Sequence, residues 1–518
     1  MYINMEMNRK IFYIKRCEEV ILFFLFIGIP LTSLPEKFSL PGISGNFSTA
    51  CLFLITFFLI LECFVYHSWA NVFKDVIYKK YWTVLFVWNT ICLIIGTVEL
   101  YGIPLQNILG ISPTKIFQLI ATYFCHPILS EMSSWISIIM NLEWKFFRDY
   151  FLRLFIIIFL IQHLYHNDWN LIFHRIESAV LVLSCLLGFY SIPEIIWLWT
   201  QNPTTEVLLS VTNHFFYDPV SVAGWYPPLL WEHQLRSLCT EPGALGIIAG
   251  FLLPFLWYRA LSRRNCFSYF LVTYLSFMIL MTNSRAAWII FLIEVIGSLS
   301  IIFIARYSAW KKYGIIIISS VFLSTSLYVG GNYYFQQIGQ GRVQSIDQLL
   351  KDKVAQNVTS VATTNKRSNS ARYGITLANL YIGMEHPLFG VGQGYESLYM
   401  KDKFPAFARD NEEINNWTNE LHEKGILRGG YPNLNQISAV FSWSGVIGVI
   451  LFLFLPVYSG IYYLKDGKIL NSPEGTTIFI TMIGQLLGLM SGQFTYTYAF
   501  SLALFILYML YWQRKKYR

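Results

Sequence analysis

The sequence predicts an all-α, polytopic integral membrane protein with about twelve transmembrane helices and one large, partly helical outer loop. Three observations carry this reading. Of the 518 residues, 55% are hydrophobic. Only 13% are charged, roughly half the share found in a soluble domain of ordinary composition. Apolar runs of about twenty residues, long enough to cross a bilayer as a helix, recur from one end of the chain to the other.

In order, these runs lie near residues 19–35, 47–66, 82–99, 150–165, 177–199, 243–260, 267–282, 286–305, 313–330, 434–463, 475–493 and 496–512. The first follows Arg9, Lys10, Lys15 and Arg16, a pattern shared with signal peptides. No small-residue cleavage site follows it, so it is read as an uncleaved span. The run at 116–140 is ambiguous. It holds Gln118, His126, Pro127, Glu131 and two adjacent serines, which suit a re-entrant or interfacial segment better than a lipid-facing span.

An even number of spans sets both termini on one side, and the basic clusters indicate the cytoplasmic side. The N-terminal cluster, Lys79-Lys80, Arg259 with Arg263-Arg264, Arg306 with Lys311-Lys312, Lys465 with Lys468, and Arg514 to Lys516 all fall there in one threading. The same threading places the 200–242 loop, Arg285 and the 331–433 loop together on the outer face. Lys145, Arg148 and Arg153 disagree, falling outside or at the outer interface. The chain thus divides into spans 1–330 with an outer loop at 200–242, a large loop at 331–433, and spans at 434–518. The net charge of +8 belongs to this topology-setting pattern, not to nucleic-acid binding. Eight cysteines form no Cys-x-x-Cys pair, and five of them (Cys51, Cys63, Cys92, Cys185 and Cys266) lie in or beside apolar runs. Neither a disulfide framework nor a metal site is expected.

The 331–433 loop is the one long polar stretch, and a loop of that length in a tightly threaded protein is usually functional. Val343, Ile346, Leu349, Leu350 and Val354 recur at helical spacing and predict an amphipathic helix over 343–356. A flexible Ser/Thr/Asn-rich stretch, 357–370, follows. Ser370 is then placed to cap a second helix that stops before His386-Pro387. Gly390-Val-Gly-Gln-Gly394 predicts a tight turn with unusual backbone angles.

Three arginines stand beside span ends on the outer face: Arg236, Arg285 and Arg372. Arginine is costly near a bilayer, and its planar fork matches phosphate oxygens. Each one alone also fits a residue that snorkels to lipid headgroups or pairs with a structural carboxylate. Three on one face, amid glycines and prolines, point to an anionic ligand. Glu241, between an apolar span and Pro242, is a candidate general base toward a sugar hydroxyl or the counter-ion of Arg236. His422 sits late in the long loop, either a second candidate base or an ordinary surface histidine. His214 and His233 lie in the 200–242 loop with Phe215, Phe216, Tyr217, Trp225, Tyr226 and Trp231, rings that stack on sugars or form an interfacial belt. His67, His163, His166 and His174 fall at inner span ends and are set aside. No nucleotide-binding or zinc-type motif appears. An enzyme of this kind works on a substrate activated in advance, such as a lipid-linked pyrophosphate.

Several stretches, taken as an ordered set, resemble the O-antigen polymerase and O-antigen ligase superfamily: Arg236 through Glu241-Pro-Gly, Thr282-Asn-Ser-Arg-Ala-Ala-Trp288, Arg372 with His386-Pro-Leu-Phe-Gly-Val-Gly-Gln-Gly-Tyr395, and Trp443-Ser-Gly-Val-Ile-Gly448. The resemblance spans residues 230–460. It implies a GT-C-like helical glycosyltransferase of the bacterial inner membrane, multi-pass, with cytoplasmic termini and a large periplasmic loop. Such an enzyme transfers a glycan from undecaprenyl pyrophosphate to a hydroxyl without metal or other cofactor. By the same resemblance Arg285 and Arg372, then Arg236, grip the pyrophosphate. Where ligases of the group carry a His-Asn pair, this chain has Leu434-Asn435. The missing histidine favours a polymerase joining lipid-linked repeat units over a ligase transferring polymer to lipid A-core. A transporter of lipid-linked sugars is a third reading, disfavoured because no internal repeat is seen. The implied partners are the lipid-linked oligosaccharide and the bilayer, with a chain-length regulator as a further candidate and no nucleic acid.

Overall fold

The computed structural model describes residues 2–38, 45–65, 77–112, 115–123, 126–165, 168–217, 230–231, 233–305, 308–340, 367–492 and 494–516. Among them no strand occurs. Helix α1 (Tyr2–Ile27) forms a hairpin with α2 (Phe47–Val65), pinned where Ser48 Oγ donates to Leu25 O at 2.9 Å. Helix α3 (Lys79–Leu100) follows, then α4 (Pro127–Phe146), which opens on a proline at the turn where no amide donor is needed. It runs through a π-helical turn, Phe147–Leu152, into α5 (Arg153–Tyr165). Helix α6 (Trp169–Thr200) starts at the Asp168 cap, and α7 (Pro203–Asn213) at the Asn202 cap.

Helices α8 (Pro242–Arg263), α9 (Cys266–Met281), α10 (Arg285–Ala305) and α11 (Ser308–Gln340) continue the bundle. The described part of the long loop holds α12 (Arg367–Glu385), α13 (Glu396–Lys403) and α14 (Glu412–Lys424). Helices α15 (Gln436–Lys465), α16 (Pro473–Leu489) and α17 (Tyr496–Lys516) close the chain.

Each apolar run predicted as a span lies wholly or partly on a helix, as expected of a polytopic helical membrane protein. Seven described helices are long and apolar enough to cross a membrane: α2, α3, α6, α8, α10, α11 and α15. The others fall short for identifiable reasons. Helix α9 has only 16 residues and α16 only 17. Every residue of α17 from Tyr496 to Met509 is buried. A helix enclosed by other helices needs no lipid-facing apolar side, and this one carries tyrosines, serine and threonine instead. The first run ends sooner than expected, because the chain turns after Ile27.

The ambiguous 116–140 stretch becomes a short helix, Lys115–Tyr123, and most of α4. Ile128, Met132, Ile136, Met140 and Trp144 recur every four residues along one exposed face of α4. Trp135, Ile138 and Leu142 are buried on the other. The discordant basic cluster is satisfied inside the protein. Lys145 Nζ donates to Leu427 O at 2.6 Å, and Arg148 pairs with Asp149 at 2.7 Å. Arg153 donates to Phe494 O at 3.0 Å and lies over the Tyr496 ring, 4.4 Å from its centroid.

A second apolar core joins the loop to the bundle: Leu93 and Leu100 of α3 and Trp135, Ile138 and Leu142 of α4 cluster with Ile375, Ile382, Tyr395, Trp417 and Ile426. The amphipathic helix predicted over 343–356 lies outside the described residues, as does most of 357–370. The second helix starts at Arg367, before Ser370, whose hydroxyl donates to Phe407 O instead of capping. It ends at Glu385, ahead of His386-Pro387, as the sequence implies.

Candidate functional site

The glycine turn of the loop is built into a broken helix. Gly390, Gly392 and Gly394 have φ of 63°, 83° and 93°, the left-handed region predicted for them. Helix α15 is interrupted at Gly445, with φ 65° and ψ −169°. A break of this kind orphans backbone groups, which are costly to leave unpaired in a bilayer. The loop supplies the partners. Val391 N donates to Ser442 O and Gly392 N to Trp443 O, both at 2.9 Å, while Val446 N donates to Pro387 O at 2.8 Å. The fit leaves no room for a side chain: a Cβ on Gly445 would meet Leu388 O at 2.2 Å, and one on Gly390 the Trp443 carbonyl carbon at 2.3 Å. Beside the turn, Glu396 accepts from Gly394 N at 2.6 Å. Desolvation pushes its carboxyl up to about 7, against the opposing pull of the backbone amides and Lys145.

A second structure forms where residues 233–241 lie along the 281–285 turn. Leu235 N donates to Met281 O at 3.0 Å, and Asn283 Nδ2 to His233 O at 2.5 Å. From α6, the Glu194 carboxylate accepts from Arg236 N at 3.1 Å and Ser237 N at 2.7 Å. It thereby fixes a segment in which His233 and Ser237 both have positive φ. The Arg236 side chain is 1% exposed. Its guanidinium lies 4.2 Å from the centroid of the Tyr217 ring and donates to Thr240 O at 3.4 Å. Tyr217 is therefore a buried platform for Arg236.

Glu241 is exposed, at the N-cap of α8, with no side-chain cap bond. Arg236 turns to Thr240 and Tyr217 and forms no ion pair with it. The first turns of α8 and α10 lie side by side: a Cβ on Gly243 would be 3.6 Å from Ser284 Oγ. Two helix N-termini, each the positive end of its dipole, thus open at one place, flanked by Glu241 and Arg285.

Arg285 and Arg372, from different parts of the chain, influence each other electrostatically. Arg285 is half-buried at the start of α10 and interacts electrostatically with both Arg372 and Tyr373 of the loop helix α12. Arg372 Nη1 donates to Ser491 O at 2.8 Å, tying α12 to the turn between α16 and α17. Arg153 reaches the same turn at Phe494 O. The turn thus collects guanidinium groups from α5 and α12, with a third close by on α10.

His422 is exposed on the last turn of α14. Its backbone carbonyl accepts from Ile111 N at 3.2 Å, and Arg428 reaches Ser112 O, so this end of the loop is stitched to residues 108–112. Among the described residues no side-chain bond links His422 to the arginines. Asn435, from the Leu434-Asn435 pair, caps α15 by accepting from Ile437 N and Ser438 N, each at 3.1 Å. His214 bonds Ser210 O on its own helix, and Trp225 and Tyr226 lie outside the described residues.

The structure places the expected Arg285 and Glu241 at the starts of α10 and α8 and ties Arg372 to Ser491 O, while the residues that support this arrangement were not anticipated from the sequence. Glu194, Ser491 and Arg153 gave no motif signal. Arg153 was visible only as a charge on the wrong side of the topology rule. That misfit marked a side chain bound within the protein.

Residues 270–424, from α9 to the end of α14, match the family described as O-antigen ligase. No curated protein matches the chain.

Proposed function

We propose, from the match of residues 270–424 to the O-antigen ligase family, that the chain is a member of the O-antigen polymerase and ligase superfamily and that it polymerises lipid-linked glycan repeat units. The reaction is a glycosyl transfer on the periplasmic face of the inner membrane, with undecaprenyl pyrophosphate as the donor's carrier. An acceptor sugar hydroxyl attacks the anomeric carbon of the donor. A new C–O glycosidic bond forms, the bond from that carbon to the pyrophosphate oxygen breaks, and the pyrophosphate departs with the electron pair. Arg285 and Arg372, together with the N-termini of α8 and α10, stabilise the charge that grows on the leaving group. The hydroxyl proton passes to the Glu241 carboxylate, which stands at the same helix ends.

The observation that carries this reading is that Arg285, at the start of a membrane helix, feels the repulsion of Arg372, on a loop helix that is tied to the α16–α17 turn through Ser491 O. Two mutually repelling guanidinium groups beside two helix N-termini favour a polyanionic ligand. Arg236, being buried, supports the 233–241 segment from behind. His422 stands apart from this cluster, so Glu241 is the better-placed base.

The ligase reading draws on the description of the matched family. The polymerase is preferred because the position corresponding to the ligase histidine is Leu434, and the adjoining Asn435 is occupied as a helix cap. A glycan-length gel of a strain lacking this protein separates the two. Single repeat units attached to lipid A-core are expected; long polymer stranded on the lipid carrier would establish the ligase instead. Arg285→Ala or Arg372→Ala should reproduce the deletion pattern.

A further inference from the structure

At the end of the bundle remote from the loop, three side chains from three helices converge in the protein interior. Glu18 of α1, Glu62 of α2 and His163 of α5 bring carboxylate oxygens and a ring nitrogen within 4.8 Å of one another. Glu18 and Glu62 are each 0% exposed. His163 Nε2 lies 2.8 Å from Glu62 Oε2. Among the described residues, the other Glu62 oxygen and both oxygens of Glu18 have no hydrogen-bond partner. Lys15 acts on Glu18 through space only, without an ion pair. This cluster lies at the opposite end of the helices from Arg285 and takes no part in the reaction proposed there.

Two carboxylates enclosed this way are expensive. Their like charges repel, and of their four oxygens only Glu62 Oε2, beside His163, has a partner among the described residues. A divalent cation resolves both problems, since it neutralises two carboxylates and supplies the missing partner to three unpaired oxygens. The donor set, two carboxylates and one imidazole, suits a borderline ion such as Zn2+ or Mn2+. The 2.8 Å separation between His163 Nε2 and Glu62 Oε2 is near the edge of a coordination tetrahedron, about 3.3 Å for bonds of about 2.0 Å. We propose that Glu18, Glu62 and His163 bind one divalent transition-metal ion, which ties α1, α2 and α5 together.

The test uses the full-length protein in detergent, stripped with a chelator and titrated separately with Zn2+ and Mn2+. Bound metal is counted by mass spectrometry and the melting temperature is followed. Wild type is expected to retain about one ion per chain with one of the two metals and to melt higher with it. Glu62→Gln and His163→Ala should bind at least about tenfold more weakly, and their melting should ignore the metal. His174→Ala, whose side chain is 63% exposed and outside the cluster, should behave as wild type. If the cluster variants fail to fold, the wild-type titration decides, with the ligand-field spectrum of bound Co2+ as a second readout. Absence of bound metal in wild type, or equal binding in wild type and Glu62→Gln, overturns the proposal and leaves protons as the neutralising species.

Discussion

Arg285 and Arg236 look alike in the sequence, each beside a span end and amid small residues, yet their surroundings separate them. Arg236 is sealed between Tyr217 and Thr240 O, while Arg285 is half-buried and coupled to Arg372. Residue type and position were legible in the sequence; burial was not, because it depends on Glu194, some forty residues earlier in the chain, holding the Arg236 backbone. The two candidate bases divide in the same way. Glu241 adjoins two helix N-termini, and His422 sits where the loop is stitched to residues 108–112. Glu241→Gln is therefore expected to lower polymer formation about a hundredfold or more, and His422→Ala to leave it within a few-fold of wild type. Rates of polymer extension from purified lipid-linked repeats check this. A dead His422→Ala with an active Glu241→Gln would exchange the roles.

Among the elements, the broken helix α15 was the least foreseeable. Its apolar run reads as one continuous span, and only the glycines of Trp443-Ser-Gly-Val-Ile-Gly448 hint otherwise. The glycine turn, by contrast, was legible, since three close glycines have few uses other than positive φ. What neither stretch shows alone is that each completes the other's hydrogen bonds. Gly445→Ala is expected to destabilise the protein by about 2 kcal/mol or more, combining left-handed strain with a clash against the Leu388 carbonyl. Gly467→Ala, where a Cβ meets nothing within 4 Å, should leave the melting temperature nearly unchanged. Melting curves in detergent compare the pair, and equal curves would mean that the turn does not lock the helix.

On the scale of the molecule, the helical membrane class follows from composition, and the helix positions follow from the apolar runs. The loop's attachment does not, because it is made by a shared core, Leu93 and Trp135 against Ile375 and Trp417, whose members lie hundreds of residues apart. That core explains how a loop helix can hold Arg372 in register with Arg285: α12 is braced by α3 and α4 on one side and by Ser491 on the other. The candidate site thus belongs to the joint between loop and bundle, where we propose that the two arginines grip a pyrophosphate. Affinity of the purified protein for undecaprenyl pyrophosphate tests that claim most directly. Arg285→Ala and Arg372→Ala should each weaken binding about 10- to 100-fold, the worth of one charge-assisted contact, and Arg→Lys at either position should restore little of it. Wild-type affinity in both alanine variants would contradict the account.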